Sequence, residues 1–114
     1  MKKNKNKEGI MTLKDIRKLP IFQTTSIAYA CMDLETNSYV MDCLRRFFIG
    51  DYGEISANDK KYNNQDLRNG EGHILAYYRA KYALENDFYI EAHFSASVPW
   101  LDANNTMIMY CNER

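Results

Sequence analysis

Residues 73–95, HILAYYRAKYALENDFYIEAHFS, decide the fold class of this chain. Apolar residues occupy every second position from His73 to Tyr82 and again from Phe88 to Ser95, and the polar turn Leu84 to Asp87 separates the two runs. A period of two is typical of strands that bury one face, and a short polar turn joins antiparallel neighbours. This stretch therefore predicts an antiparallel pair of strands.

The rest of the chain adds a third strand, an N-terminal strand and helices. An alternating run from Thr106 to Cys111 follows a polar loop from Pro99 to Asn105. β-Branched and aromatic residues in Thr24 to Cys31 predict one further strand. Helical periodicity and capping residues predict helices at Thr12 to Lys18, at Asp33 or Thr36 to Phe48, and at Ala57 to Asn69. The predicted fold is α+β, a three-stranded antiparallel meander plus this N-terminal strand, packed by two to three helices.

The helix from Ala57 to Asn69 is unusually polar, because Tyr62 and Leu67 are its only large apolar residues. Ser56 is suited to cap its first turn, and Gly70 is suited to the left-handed position that ends it. A helix with so narrow an apolar stripe is expected to be largely exposed.

Length and composition predict one soluble domain. A chain of 114 residues with 46% hydrophobic content can bury a core without a metal or disulfide. Three cysteines, Cys31, Cys43 and Cys111, are widely spaced, so neither a disulfide framework nor a zinc site is predicted. The sequence lacks a secretory leader and any run of about 18 apolar residues, so a cytoplasmic protein without a cofactor is expected.

The formal net charge of zero is unevenly distributed. Residues 1–18 carry seven basic and two acidic side chains, a net charge of +5, so the remainder carries −5. Residues 1–11 are predicted to form a flexible basic arm, and residues 12–114 a single folded domain. An acidic body repels nucleic acid and attracts basic proteins over roughly a 10 Å screening length.

Carboxylates and tyrosines are concentrated around the polar helix, which suggests a surface for a basic protein partner. Tyrosine is a frequent anchor in interfaces, and exposed carboxylates steer basic partners. A second interpretation is that the acids only stabilise helix ends and turns. The residues assigned to partner binding are Asp51, Tyr52, Glu54, Asp59, Tyr62 and Glu71.

The polar face of the predicted sheet is an alternative candidate, because aromatic and basic side chains on a sheet can stack on bases and contact phosphates. Its residues are Tyr77, Arg79, Tyr89 and His93. A solvated antiparallel sheet has the same composition, so this face also fits a purely structural role. Glu91 and His73 accompany His93, but they do not make a full metal-ligand set or a nucleophile with its base, and we predict neither a metal site nor an enzyme.

The segment around the polar helix resembles a family of small plasmid- and transposon-borne bacterial proteins. The residues that carry the resemblance are Leu44-Arg45-Arg46, Gly50-Asp51-Tyr52-Gly53, Asp59, Asn63-Asn64 and Gly70-Glu71-Gly72, followed by the alternating strand to Tyr78. Ile27 to Asp33 and Asn104 to Tyr110 further resemble the branch found in integrative elements of Gram-positive bacteria. Some members of this branch are similar to type II-A anti-CRISPR proteins.

This resemblance implies a non-catalytic inhibitor of a type II RNA-guided DNA nuclease of the Cas9 type. The expected partner is the host nuclease or its guide RNA complex, and the expected effect is interference with guide RNA assembly or nucleic-acid binding. An acidic domain suits a nuclease that holds its heteroduplex in a basic channel. The alternative is a nucleic-acid-binding accessory protein of a mobile element.

Overall fold

The computed structural model describes residues 11–97 and 104–114. Its elements along the chain are α1 (Leu13–Arg17), β1 (Ile21–Gln23), α2 (Thr25–Ala30), α3 (Leu34–Phe48), α4 (Ala57–Asn69), β2 (Glu71–Tyr78), β3 (Phe88–Ser95), β4 (Asn105–Tyr110) and a 3-10 turn (Cys111–Glu113). None of the helices in these residues is long and apolar enough to cross a membrane.

The predicted α+β fold is confirmed. The four strands form one mixed sheet in the order β1-β4-β3-β2. Strands β2, β3 and β4 are the antiparallel meander, in which Tyr77 lies opposite Tyr89 and Ile90 lies opposite Ile108. Strand β1 pairs with β4 in parallel and places Phe22 beside Met107.

The N-terminal strand exists, but its predicted position at Thr24 to Cys31 is wrong. Those residues form helix α2, and the strand precedes them at Ile21–Gln23. The Thr24 hydroxyl caps the helix by accepting a hydrogen bond from the backbone N–H of Ile27 at 3.3 Å. Ile27 and Ala30, three residues apart, are both buried, which is the spacing of one helix face. Capping and burial thus outweigh the β propensity of this segment.

The other helices begin and end close to their predicted positions. Thr12 caps α1, Asp33 caps α3 and Ser56 caps α4, each by accepting a hydrogen bond from a backbone N–H of the first turn. Gly50 follows the end of α3 with φ +86°, and Gly70 ends α4 with φ +77°. Both glycines occupy the left-handed conformation that favours this residue.

Strand β2 ends four residues before Tyr82, where the predicted strand ended. It begins at Glu71 and ends at Tyr78, because the Asp87 carboxylate accepts hydrogen bonds from the Ala80 N–H at 2.7 Å and from the Tyr77 hydroxyl at 2.5 Å. Residues 79–81 are irregular, and a turn follows at Tyr82 and Ala83, closed by a hydrogen bond from the Leu84 N–H to the Lys81 carbonyl at 3.1 Å. The predicted loop before β4 lies mostly outside the described residues.

The hydrophobic core lies between the helices and one face of the sheet, termed the inner face. Helix α3 contributes Val40, Cys43, Leu44 and Phe47, and the sheet contributes Ile74, Ala76, Tyr78, Phe88, Ile90, Ala92, Phe94 and Ile108. Met11 was assigned to the flexible arm, but it packs against this core and its N–H donates to the Leu67 carbonyl at 2.9 Å. The remainder of the predicted arm lies outside the described residues.

Candidate functional site

The Gly-Asp-Tyr-Gly loop is held in place by contacts within the domain. The Asp51 carboxylate accepts hydrogen bonds from Arg46 Nε at 2.7 Å and from the Gly53 N–H at 3.2 Å. The Arg46 hydrogen bond is the main cause that lowers the pKa of Asp51. Tyr52 is only 5% exposed and packs edge-on against Phe47. Because the Tyr52 ring belongs to the core, little of it is left on the surface for the partner contact predicted from the sequence.

Gly53 allows this loop to approach the free edge of β2. Its φ is +71°, and a Cβ atom at this position would lie 2.0 Å from the Tyr77 carbonyl oxygen. The approach makes two backbone hydrogen bonds, from the Tyr77 N–H to the Tyr52 carbonyl at 3.0 Å and from the Glu54 N–H to the Tyr77 carbonyl at 2.8 Å. The loop therefore acts as a short partner strand for the end of β2.

Helix α4 covers the remainder of the same edge with polar side chains. Asn63 accepts a hydrogen bond from the Leu75 N–H at 3.0 Å and donates one to the Leu75 carbonyl at 2.9 Å. Asp66 accepts a hydrogen bond from the His73 N–H at 3.1 Å. Unpaired strand edges are templates for aggregation, and covering them removes that hazard. The polarity of α4 thus has a structural reason, since its side chains replace a neighbouring strand.

The six residues predicted to bind a partner do not form one continuous surface. Glu54 is bound by Arg79, whose Nε lies 3.0 Å from its carboxylate, and Asp51 is bound by Arg46. Asp59 lies in the first turn of α4 and Glu71 follows the far end of that helix, whose last residue, Asn69, is about 15 Å from Asp59 along the helix axis. Tyr62 is exposed, as expected. The positive side chains beside Asp51 and Glu54 weaken their attraction for a basic partner.

The second predicted site lies on the sheet face opposite the core, termed the outer face. The structure brings Tyr77, Tyr89 and His93 together there, with the two tyrosine rings 5.4 Å apart and nearly perpendicular. Arg79 lies just beyond β2, and its guanidinium is bound to Glu54. The aromatic neighbours were predicted correctly, but their basic member is engaged in an ion pair.

Glu91 is at the centre of the outer face and is only 4% exposed. Arg114 donates to both of its oxygens, at 3.0 and 2.8 Å, and the Nε2 atoms of His73 and His93 lie 3.7 and 3.6 Å from Oε2. Burial by itself raises the pKa of Glu91, but the hydrogen bonds and charge of Arg114 outweigh it, so the pKa is lowered. Among the described residues no group of three or more His, Cys, Asp or Glu side chains could hold a metal ion.

The role of Arg114 could not be found from the sequence. Its guanidinium lies 5.3 Å from the centre of the Tyr89 ring while it binds Glu91. The only signal in the sequence was Glu91, an acidic residue at an outer-face position of a predicted strand. A carboxylate that is buried requires a cation beside it. With Arg114 over one tyrosine and the Tyr77 hydroxyl bonded to Asp87, these rings are less available for stacking on bases.

A third surface was not predicted and has the properties of a protein interface. At the junction of α2 and α3, Tyr29 and Met32 are each 76% exposed and Leu34 is 84% exposed. Tyr29 and Met32 line a groove of about 350 Å³ together with Asp33 and Glu85. We call the set of Tyr29, Met32, Asp33, Leu34, Glu35 and Glu85 the apolar-acidic surface. Within the part of the chain that the structure describes, none of its three carboxylates forms an ion pair.

The apolar-acidic surface was missed because its first residues were assigned to a strand. A strand would have distributed Tyr29 and its neighbours over two faces, whereas the short helix and its following turn expose them together. This surface offers unpaired charge and apolar area, whereas the side chains of the outer face are largely bonded to one another. Comparisons of the chain with protein-family models, with curated proteins and with solved structures found no match.

Proposed function

We propose that this protein inhibits a type II RNA-guided DNA nuclease of the Cas9 type by binding it without catalysis. Binding to the nuclease or its guide RNA complex would interfere with guide RNA assembly or with binding of nucleic acid. The sequence resemblance suggests the partner, and the apolar-acidic surface is the observation that carries the binding mode. The proposed contact residues therefore move from the predicted acidic residues near α4 to the junction of α2 and α3.

The apolar-acidic surface supports this proposal through its exposed area. Tyr29 and Met32 line the same groove, Leu34 lies two residues further along the chain, and all three side chains are largely in water. Full burial of such a side chain contributes about 1.5 to 3 kcal/mol, so three together can supply a substantial part of an association energy. Aromatic and methionine side chains are enriched in interfaces over the rest of the surface. A contiguous exposed apolar patch commonly marks an interaction site.

The charge of the surface supports a basic partner. Asp33 and Glu85 line the groove with Tyr29 and Met32, Glu35 directly follows Leu34, and none of the three carboxylates forms an ion pair with a described residue. A nuclease of this class holds its RNA–DNA heteroduplex in a positively charged channel. Carboxylates that meet such a channel accelerate association, and the effect decreases as salt rises. An acidic surface is correspondingly unfavourable for direct binding of RNA or DNA.

The test is a titration of the nuclease, with and without guide RNA, against matched variants. Changing Tyr29 and Met32 together to alanine should weaken binding at least tenfold and relieve inhibition of DNA cleavage. Ile49→Ala is the control, because this side chain is equally exposed at the other end of α3 and should not affect binding. Glu35→Gln with Glu85→Gln should slow association mainly at low salt. Circular dichroism verifies that each variant folds.

The possible results separate the proposal from its alternatives. If the Tyr29 and Met32 variant binds normally while neutralisation of Asp51, Glu54 and Asp59 abolishes binding, the surface assignment is wrong although inhibition stands. If the protein neither binds the nuclease nor inhibits cleavage, the proposed function is wrong. Retardation of guide RNA or single-stranded DNA by the protein alone in a gel-shift assay would instead favour the accessory nucleic-acid-binding role.

A further inference from the structure

The two edge strands of the sheet, β2 and β1, differ in whether other parts of the chain cover them. The β2 edge is covered by α4 and by the Gly-Asp-Tyr-Gly loop, which hydrogen-bond to His73, Leu75 and Tyr77. At the other edge, all three residues of β1 are exposed. Ile21 is 43% exposed and Phe22 is 50% exposed. An uncovered strand with apolar side chains is a site where another strand can add to the sheet.

The hydrogen bonds of β1 show which of its backbone groups are free. The Pro20 carbonyl accepts from the Thr106 N–H at 2.9 Å, and the Thr24 N–H donates to the Ile108 carbonyl at 3.1 Å. Even-numbered residues therefore direct their backbone groups toward β4, and Ile21 and Gln23 direct theirs outward. No described residue makes a hydrogen bond to these outward groups.

We propose that the β1 edge pairs with the β1 edge of a second copy of this chain, in antiparallel orientation about a two-fold axis at Phe22. This register places Ile21 of each copy opposite Gln23 of the other and makes four backbone hydrogen bonds, the most that the outward groups allow. The two Phe22 rings meet on the outer face across the axis. The result is a continuous eight-stranded sheet with an isologous interface.

Charge complementarity favours a second copy as the occupant. Lys18, which is exposed, precedes the strand, and Glu113 lies beside its other end, where it accepts a hydrogen bond from the Thr24 hydroxyl at 2.8 Å. An antiparallel pair centred on Phe22 places Pro20 opposite Thr24 of the second copy. Each end of the interface therefore brings Lys18 of one copy toward Glu113 of the other, with the same pairing at both ends.

The interface is short, so association should depend on concentration. A three-residue strand makes a contact near the lower limit for stable complexes. Sedimentation equilibrium should show a monomer at micromolar concentration and a dimer at several hundred micromolar. Lys18→Glu should weaken the dimer about fivefold, since it replaces an attractive exposed pair with a repulsive one. Lys14→Glu on α1 makes the same charge change and serves as the control.

Cysteine cross-linking tests the register directly. Opposed residues in a non-hydrogen-bonded antiparallel pair have Cα atoms about 4.5 Å apart, within the range of a disulfide. Phe22→Cys should therefore oxidise to a covalent dimer, whereas Gln23→Cys should not, because its counterpart is two residues out of register. The wild type, with its three cysteines, gives the background. A monomer at every concentration, or equal cross-linking of the two variants, would overturn the proposal.

Discussion

Gly53→Ala tests whether the Gly-Asp-Tyr-Gly loop is required for the fold. The new Cβ atom would lie 2.0 Å from the carbonyl oxygen of Tyr77 and 2.9 Å from Cδ1 of Tyr78. Because the nearer atom belongs to the backbone of a strand, it cannot rotate away, and the loop must move off the β2 edge. The hydrogen bonds that join Tyr52 and Glu54 to Tyr77 would then be lost.

The expected loss of stability follows from two contributions. A residue other than glycine in the left-handed conformation costs about 1 to 2 kcal/mol. Loss of two backbone hydrogen bonds adds about 1 kcal/mol each. The total of about 3 to 4 kcal/mol is a large part of the roughly 5 to 15 kcal/mol that stabilises a domain. It corresponds to a decrease in Tm of about 12 to 16 °C at about 4 °C per kcal/mol for a domain of this size.

Gly50→Ala is the matched control. Gly50 also has a positive φ, +86°, but its added Cβ would meet only Leu13 Cδ1, at an ordinary 3.5 Å. It should therefore lose only the conformational contribution of about 1 to 2 kcal/mol. Urea unfolding followed by circular dichroism gives both free energies of unfolding. If the two variants were destabilised equally, the close approach of Gly53 to Tyr77 would not contribute to stability, and the reasoning would be refuted.

Three further variants test the covered edge and the buried carboxylate. Asn63→Ala should lower the free energy of unfolding in urea by about 2 to 3 kcal/mol, because it leaves both backbone groups of Leu75 unpaired. The control is Asn64→Ala, at an exposed position on the same helix, which should change stability by less than about 0.5 kcal/mol. The pKa of Glu91 is lowered from 4.5, so its stabilisation is present above that pH and is lost as pH falls through the folded-state value. Glu91→Gln should accordingly show a flatter stability profile between pH 5 and pH 3 than the wild type, and parallel profiles would contradict this. Arg114→Ala should destabilise the protein by about 1 to 3 kcal/mol at pH 7, and this loss should become smaller as the pH falls below 4.5 and Glu91 takes up a proton.

Signals carried by neighbouring residues, such as helix caps and strand alternation, predicted the elements that depend on those signals. The bounds of α4 were predicted from Ser56 and Gly70, and the structure has both residues at the expected caps. The meander was predicted from period-two alternation, which depends only on burial of one face. The prediction for Thr24 to Cys31 was wrong because β-branched residues favour a strand only weakly, whereas the helix there buries Ile27 and Ala30, and that burial depends on the position of the sheet.

The candidate site was harder to predict than the fold, and α4 shows why. Its polar composition suggested a surface displayed to a partner, yet Asn63 is buried and bonded to a strand twelve residues away in sequence. The sequence alone does not show whether a polar side chain hydrogen-bonds to a backbone amide or to solvent. The same ambiguity concealed Arg114 at Glu91, because the two residues are 23 positions apart. Polar residues become evidence for a binding surface only after their partners within the fold are known. Asp33 caps α3 through Thr36, but on that criterion Glu35 and Glu85, which form no ion pair with a described residue, are stronger candidates than Asp51 and Glu54.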